Sequence, residues 1–201
     1  FSPKKLYEFL KMKSVLVKGT KIFFSIDKEL IKDKTPSKKE FYYPKGITDY
    51  ASENFNKRNK LLLKDFYINF HFNNAEKCEI LVSFNNDEKS SFYSYCNTIE
   101  TPDGGSHENG LKNSILKSIK LFAKKNQISK FDNINSNDIF EFSDAIISIF
   151  INNPSFEGQT KKRIVMPKIQ KNLEEEIQNH FLLWLNSNKK ESIKLVNTLI
   201  E

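Results

Sequence analysis

The sequence predicts an α+β fold: a mostly antiparallel sheet, helices on one face, a β-α-β crossover and a C-terminal helical arm. Residues 66–72 and 80–84 alternate apolar and polar side chains, which is the period of a half-buried strand. Residues 111–122 repeat apolar side chains at intervals of three and four, as in an amphipathic helix. Because this helix separates the strands from a later buried strand at 146–151, the connection is predicted to be a crossover.

The N-terminal part of the chain carries separate helix and strand signals. Ser2-Pro3 is an N-cap followed by a proline at the first helical position, so a short helix is expected to end before Gly19. Residues 22–26 alternate and predict a strand. The lysine-rich stretch 31–40 predicts a solvated loop, and a second short helix is expected within 47–57.

Three strands are expected in the central part of the chain. The runs at 66–72 and 80–84 are followed by a third strand-like run at 91–97. Turn residues stand between them, at Asn73-Asn74 and at 85–87. We therefore expect an antiparallel meander with one face buried and one face wet.

The C-terminal part of the chain is predicted to be helical. Pro167 is expected to start a long helix, and Asn188 with Glu191 resembles a capping box that starts a last one. The long helix has one apolar stripe, formed by Ile169, Leu173, Ile177 and Phe181. We expect residues 1–166 to form one domain and residues 167–201 to form the helical arm.

Composition favours a globular protein with an anionic partner. Hydrophobic residues make up 38% of the 201 residues, which is enough to bury a core. The net charge of +7 favours a polyanion such as nucleic acid or an acidic protein surface, although an AT-rich genome also encodes many lysines and asparagines. Cys78 and Cys96 fall in strand-like runs, so we expect two free thiols in a reducing compartment.

The sequence also carries information about the cellular location of the protein. No apolar run approaches the ~18 residues that a membrane span needs, and no signal peptide opens the chain. We expect a cytoplasmic protein with no membrane partner. No Cys/His spacing resembles a zinc site. The first residue is Phe rather than Met, so we expect the chain to begin inside a longer polypeptide.

The first loop with chemical character runs from Thr101 to Gly110 and reads Thr-Pro-Asp-Gly-Gly-Ser-His-Glu-Asn-Gly. Its adjacent glycines allow a positive φ and a close backbone approach. Ser106 can cap the helix that follows, which leaves His107 near a helix N-terminus, where anions are favoured. The same pattern is typical of a tight strand-to-helix turn, and the residues alone favour that structural interpretation.

The second loop runs from Pro154 to Arg163 and places three cations in a row after a glycine. Gln159 offers an amide, and Lys161 offers a point charge with three donors, so the loop can meet a phosphate. It lacks the spacing of a P-loop. A solvated turn between a strand and a helix has the same composition, and charge alone favours that alternative.

Taken together, the two loops resemble the B subunits of bacterial type II topoisomerases, gyrase and topoisomerase IV. Phe156-Glu-Gly-Gln-Thr-Lys161 resembles their hallmark loop, and the segment 97–107 resembles their Asn-Thr…Gly-Gly-Thr-His segment. The stretches 43–47 and 18–22 also match, so the resemblance covers essentially the whole chain. Leu183-Trp-Leu-Asn186 favours the topoisomerase IV subfamily, with gyrase as the alternative.

The sequence departs from the family pattern at three places. Ser106 stands where the family usually has Thr, which keeps the hydroxyl. Phe140 replaces the arginine of an Asp-x-Arg-Glu run, so no role of that arginine carries over. After the lysine, the chain continues Arg163-Ile-Val-Met rather than with a Leu-Gly-Asn run.

The resemblance implies a transducer domain with a ribosomal-protein-like fold, in a subunit whose ATP-binding domain lies upstream of this chain. It implies that Gln159 and Lys161 contact the γ-phosphate of ATP, with Lys161 as the catalytic residue, while the missing domain holds most of the ATP and its Mg²⁺. His107, Lys162 and Arg163 are candidate contacts with DNA or with the gate, and no metal ligands are expected in this chain.

The resemblance also implies partners. These are DNA, the A subunit of topoisomerase IV, and a second B subunit that dimerises on ATP binding. The C-terminal helices would lead toward the DNA-cleavage region. The chain alone is expected to be inactive. Two further alternatives are a stand-alone nucleic-acid-binding module and a mismatch-repair transducer, and the complete Glu-Gly-Gln-Thr-Lys string argues against the latter.

Overall fold

The computed structural model describes residues 2–72, 75–87 and 89–200 and divides the chain into two compact units, residues 1–57 and 58–201. The predicted turn at Asn73-Asn74 lies outside the described residues. The predicted boundary after residue 166 does not coincide with the division between the units.

The first unit is built around a two-stranded antiparallel sheet among its described residues. It contains α1 (Pro3–Leu16), β1 (Lys21–Ser25), a 3₁₀ turn (Lys28–Leu30), β2 (Lys38–Tyr42) and α2 (Ile47–Asn54). The Ser2 hydroxyl accepts a hydrogen bond from the Lys5 amide and Pro3 opens the helix, as predicted. The rings of Phe24 and Phe41 pack edge-on against Tyr7, which joins the sheet to α1.

The predicted loop at 31–40 is wrong at its end. Residues 38–40 belong to β2 and pair with β1, with Lys38 opposite Ser25. The residues that looked solvated are indeed exposed, and only Phe41 of this strand is buried. Pairing with β1 therefore sets the conformation here, although the composition is that of a loop.

The second unit has a sheet of five strands among its described residues, in the order β3-β4-β7-β5-β6. Neighbouring strands are antiparallel except for β5 and β7, which are parallel. The strands are β3 (Phe66–His71), β4 (Lys77–Phe84), β5 (Phe92–Cys96), β6 (Ile99–Glu100) and β7 (Ser143–Phe150).

The parallel pair confirms the predicted β-α-β crossover, but the predicted meander is wrong. β5 does not pair with β4, because β7 lies between them. Every residue of β7 except Phe150 is buried, so this strand needs cover on both faces and takes the centre of the sheet. Cys78 and Cys96 are free and buried, and both lie opposite Ile149 of β7, which keeps the two thiols apart.

Helices cover one face of this sheet. They are α3 (Ser106–Lys125), α4 (Ser136–Glu141), α5 (Pro167–Ser187) and α6 (Lys189–Ile200). The predicted apolar stripes of α3 and α5 are buried, and they share one core with Ile80, Ala145 and Ile147. Phe140, at the position where the family has an arginine, is buried and packs edge-on against Phe92.

The two C-terminal helices belong to the second unit and pack into its core. Leu173 of α5 and Leu195 of α6 are fully buried. The Asn188 side chain donates to the Trp184 carbonyl at 2.8 Å, so it closes α5 rather than forming the predicted capping box for α6. Across the residues that the structure describes, none of the helices combines the length and apolar character that a membrane crossing requires.

Candidate functional site

The two loops singled out in the sequence lie side by side in the second unit. Gly105 and Ile164 form a parallel β-bridge. The Ile164 amide donates to the Gly104 carbonyl at 3.1 Å, and the Ser106 amide donates to the Ile164 carbonyl at 2.9 Å. The Asp103 amide adds a bond of 3.1 Å to the Lys162 carbonyl. Residues about 60 apart in the chain therefore share a short ladder of main-chain hydrogen bonds.

Gly105 is required for this pairing. Its φ is +126°, and a Cβ at this position would overlap the carbonyl oxygen of Ile164 and lie 2.5 Å from the Ile164 nitrogen. A side chain would push the two loops apart, because the obstacles are backbone atoms that cannot rotate away. The close backbone approach expected of the glycine pair is therefore an approach to Ile164.

Ser106 has a different task from the one predicted. Gly105 occupies the N-cap position of α3, so Ser106 is already helical and does not cap the helix. Its hydroxyl instead accepts a hydrogen bond of 2.8 Å from the Met166 amide. Because Met166 precedes Pro167, the first residue of α5, this bond ties the start of α3 to the start of α5.

The second loop is a hairpin. The Glu157 amide donates to the Arg163 carbonyl, and the Val165 amide donates to the Ser155 carbonyl, both at 2.9 Å. Phe156 and Ile164 form the antiparallel bridge between the two sides. We call residues 155–157 and 163–165 the stem and residues 158–162 the tip.

The tip presents polar side chains to solvent. Gln159, Thr160, Lys161 and Lys162 are all exposed. Among the residues that the structure describes, the side chains of Gln159, Lys161 and Lys162 have no hydrogen-bond or ion-pair partner. Gly158 and Lys161 both have positive φ values, +75° and +55°, which turn the tip. The arrangement leaves an amide and two ammonium groups available to an anionic ligand.

Arg163 is exposed as well, but its guanidinium is engaged within the protein. Nη1 donates to the Asp103 carbonyl at 2.9 Å, and Nε lies 3.3 Å from a carboxylate oxygen of Glu157. The structure thus separates Arg163 from Lys162, its neighbour in the predicted cation run.

His107 is fully buried at the start of α3. Its Nε2 atom pairs with the Thr101 hydroxyl at 3.1 Å, and that hydroxyl pairs with the Ser94 hydroxyl at 2.9 Å. Burial lowers the pKa of His107 to about 4, so the ring is neutral at pH 7. In this position the ring has no exposed atom to offer DNA or a gate, which favours the structural role.

A second polar cluster was missed in the sequence. Asp144 of β7 is buried and accepts a hydrogen bond of 2.8 Å from the Asn85 side chain, and the Arg58 guanidinium lies 3.3 Å away. Burial raises the pKa of Asp144, against the opposing effect of Arg58. An aspartate two residues before the apolar run at 146–151 was the signal that could have revealed it.

Metal binding finds no support in the part of the chain that the structure describes. Nowhere in residues 2–72, 75–87 and 89–200 do three His, Cys, Asp or Glu side chains come together as a metal site would require. The candidate site consists of the hairpin tip, its stem and the turn that begins α3.

Comparison with known proteins decides the family. A model of the DNA gyrase B family matches residues 46–201, which include both loops and all of the second unit. This chain belongs to the DNA gyrase B family. The family resemblance predicted from the two loops is thereby confirmed.

Relatives of this gyrase B family chain include the B subunit of DNA topoisomerase 4 from Rickettsia typhi, which is 37% identical over 191 residues. The match covers 94% of this chain but 29% of that protein, so the chain spans less than a third of the relative's length.

Solved structures show the same fold. A structure described as the topoisomerase IV ATP binding domain of Francisella tularensis, in complex with a small-molecule inhibitor, superposes with a TM-score of 0.79 and 28% identity. It matches 98% of this chain and 51% of that one. The 43K ATPase domain of Thermus thermophilus gyrase B superposes with a TM-score of 0.75, covering 100% of this chain and 52% of that one. Because the identity is 22%, this match shows the fold alone.

The Gly105 contact predicts a large difference between two glycines of the site. Replacing Gly105 by Ala combines a positive φ with a backbone clash and should cost about 3 kcal/mol or more in the free energy of unfolding. Gly158→Ala is the matched control, because its φ is also positive but nothing lies within 4 Å, and it should cost about 1–2 kcal/mol. Urea unfolding of the chain measures both values, and equal losses would contradict the close-approach role of Gly105.

The neutral, buried His107 predicts a loss of stability on acidification. The folded-state pKa, about 4, is below the ordinary value of 6.5, so the unfolded state binds more protons as the pH falls through this window. Stability is therefore lost below pH 6.5, by about 2 kcal/mol between pH 7.5 and pH 5. Urea unfolding at the two pH values should show this loss in the wild type and in the exposed-site control His180→Gln. It should be largely absent in His107→Gln, and an equal loss in that variant would refute the assignment.

Proposed function

We propose that this chain is the part of a topoisomerase IV B subunit that contacts the γ-phosphate of ATP and couples its loss to the passage of DNA. The observation that carries the proposal is the hairpin tip, which holds Gln159 and Lys161 exposed and unpartnered on a stem bonded to the start of α3. The relatives support this assignment, since they include the B subunit of DNA topoisomerase 4 from Rickettsia typhi.

The chemistry of the tip suits a phosphoryl group. Lys161 carries a positive charge that can neutralise the negative charge on the transferring phosphoryl oxygens, and Gln159 offers an amide donor beside it. Preorganised charge of this kind stabilises a transition state without further rearrangement. Lys161 is therefore the proposed catalytic residue, with Gln159 as the second γ-phosphate contact.

ATP and Mg²⁺ would be held mainly outside this chain. The chain matches about half of a Francisella tularensis structure described as an ATP binding domain, which supports a nucleotide site completed by other residues. The described residues contribute donors to a phosphate rather than ligands to a metal. Mg²⁺, when bound with ATP, would neutralise negative charge on the phosphates and would be held by residues outside this chain.

The route from the tip to the rest of the subunit runs through α3 and α5. Glu174 on α5 accepts hydrogen bonds from Asn113 and Lys117 on α3, at 2.9 and 2.7 Å. Gly110 of α3 allows close contact with Leu173 of α5. Because the two helices are joined in this way, loss of a contact at the tip would move them together as a rigid body.

DNA, the A subunit of topoisomerase IV and a second B subunit are the proposed partners. The net charge of +7 suits a surface that contacts the phosphates of a transported duplex without reading its sequence. Lys162 remains a candidate DNA contact, because its side chain is exposed and has no partner within the described residues.

Replacing Lys161 by Ala in the full-length subunit should lower kcat for ATP hydrolysis by roughly 10²–10³, about 2.7–4 kcal/mol, because one preorganised charge is lost. Steady-state hydrolysis with the A subunit present measures the effect. Lys168→Ala, which removes an exposed lysine from the first turn of α5, is the matched control and should leave kcat unchanged.

Two controls make this test decisive. Circular dichroism and a thermal midpoint close to that of the wild type show that the variant is folded. The isolated chain should not hydrolyse ATP at all. An unchanged kcat for Lys161→Ala would mean that the tip is a solvated turn, and hydrolysis by the isolated chain would contradict a nucleotide site completed elsewhere.

A further inference from the structure

We propose that Arg163 is a positioning residue that holds the hairpin tip in the orientation needed by Lys161, rather than a contact with DNA. The inference rests on the proposed function of Lys161. It assigns to Arg163 a task inside the protein, although the residue stands third in a run of exposed cations.

The Arg163 side chain contacts both the turn before α3 and the opposite side of the stem. Its Nη1 donates to the Asp103 carbonyl, in the turn before α3, at 2.9 Å. Its Nε lies 3.3 Å from the carboxylate of Glu157, on the opposite side of the stem. Its main-chain carbonyl accepts from the Glu157 amide at 2.9 Å. The Arg163 side chain thus links the turn before α3 to Glu157 across the stem, in addition to main-chain bonds that any residue at this position would make.

The guanidinium group is suited to this double attachment. Its donors are fixed in one plane, so it can satisfy two acceptors in different directions at the same time. A lysine ammonium at the same position is a point charge on a flexible stem and would hold one of the two acceptors. A surface ion pair contributes little to stability, so the expected effect of Arg163 is on the geometry of the tip.

The tip needs such a constraint because its backbone is strained at Lys161. A φ of +55° is unfavourable for a residue with a side chain and persists where the surroundings determine it. Lys161 precedes Arg163 by two residues. The side-chain contacts of Arg163 at the base of the tip therefore constrain the direction in which the Lys161 side chain leaves the tip.

Comparison with Lys162 shows that the positioning role of Arg163 does not follow from its charge alone. The side chain of Lys162 has no hydrogen-bond or ion-pair partner within the described residues, whereas the guanidinium of Arg163 has two. A DNA phosphate would have to compete with both of these contacts for the guanidinium.

The test is an epistasis experiment in the full-length subunit with its A subunit. Arg163→Ala should lower kcat for ATP hydrolysis by roughly 10- to 100-fold, because a small misplacement of a catalytic group is costly, and should change KM for ATP by less than about twofold. In the Lys161→Ala background the same substitution should lower kcat by less than about twofold further. Arg163→Lys should not restore the rate, and Lys168→Ala should match the wild type.

Two further readouts separate positioning from a structural or DNA-binding role. The thermal midpoint of Arg163→Ala should stay within about 2 °C of the wild type. The salt dependence of DNA affinity should keep its slope, whereas loss of a phosphate contact would reduce the slope by about one.

The outcomes are distinguishable. A wild-type kcat for Arg163→Ala beside a large loss for Lys161→Ala would overturn the positioning role and leave the proposed function standing. A full additional loss in the double variant, or a reduced salt slope, would also overturn it. A wild-type kcat for Lys161→Ala would contradict both the proposed function and this inference.

Discussion

The main-chain pairing of Gly105 with Ile164 is the constraint on which the rest of the candidate site depends. It brings together two loops that are about 60 residues apart in the chain, and it does so with main-chain atoms. A bridge of this kind excludes a Cβ at position 105, so the second glycine of the pair is required by the approach itself. With the bridge in place, the hairpin tip has a fixed base. Without it, the stem would lose its main-chain bonds to the turn before α3.

The bridge also links the site to the helices that follow it. α3 begins directly after one loop and α5 directly after the other, and the Ser106 hydroxyl bonds the Met166 amide between them. Farther along, Glu174 and the close contact at Gly110 join the two helices. Packed interfaces of this kind switch between discrete arrangements rather than deform continuously. A change at the tip is therefore expected to reach the distal ends of α3 and α5 as one movement.

Local periodicity was sufficient to predict most of the elements. The stripes of α3 and α5, the first helix with its Ser2 cap, and the parallel crossover all follow from spacing and turn chemistry in the sequence. The order of the strands in the sheet was harder to predict, because strands pair with partners that are distant in the sequence. The central place of β7 follows from its burial on both faces, but a run of apolar residues does not reveal which strands lie beside it.

The residues of the candidate site also differ in how far the sequence could predict them. The motif residues Gln159 and Lys161 could be selected from the sequence, since a family resemblance points to them. The contacts of Ser106 and Arg163 could not, because each depends on an acceptor or donor from the other loop. His107 was placed correctly at a helix start, but its burial with Thr101 and Ser94 depends on the folded sheet. Asp144 was overlooked because its partners, Arg58 and Asn85, come from a distant part of the chain.

The most direct test of this account is a structure of the full-length subunit with a non-hydrolysable ATP analogue. We expect the Lys161 ammonium and the Gln159 amide within about 3 Å of γ-phosphate oxygens, with the hydrogen bond from the Ser106 amide to the Ile164 carbonyl retained. A γ-phosphate held by other residues, with Lys161 remaining in solvent, would contradict the account. So would a nucleotide complex in which the two loops have separated.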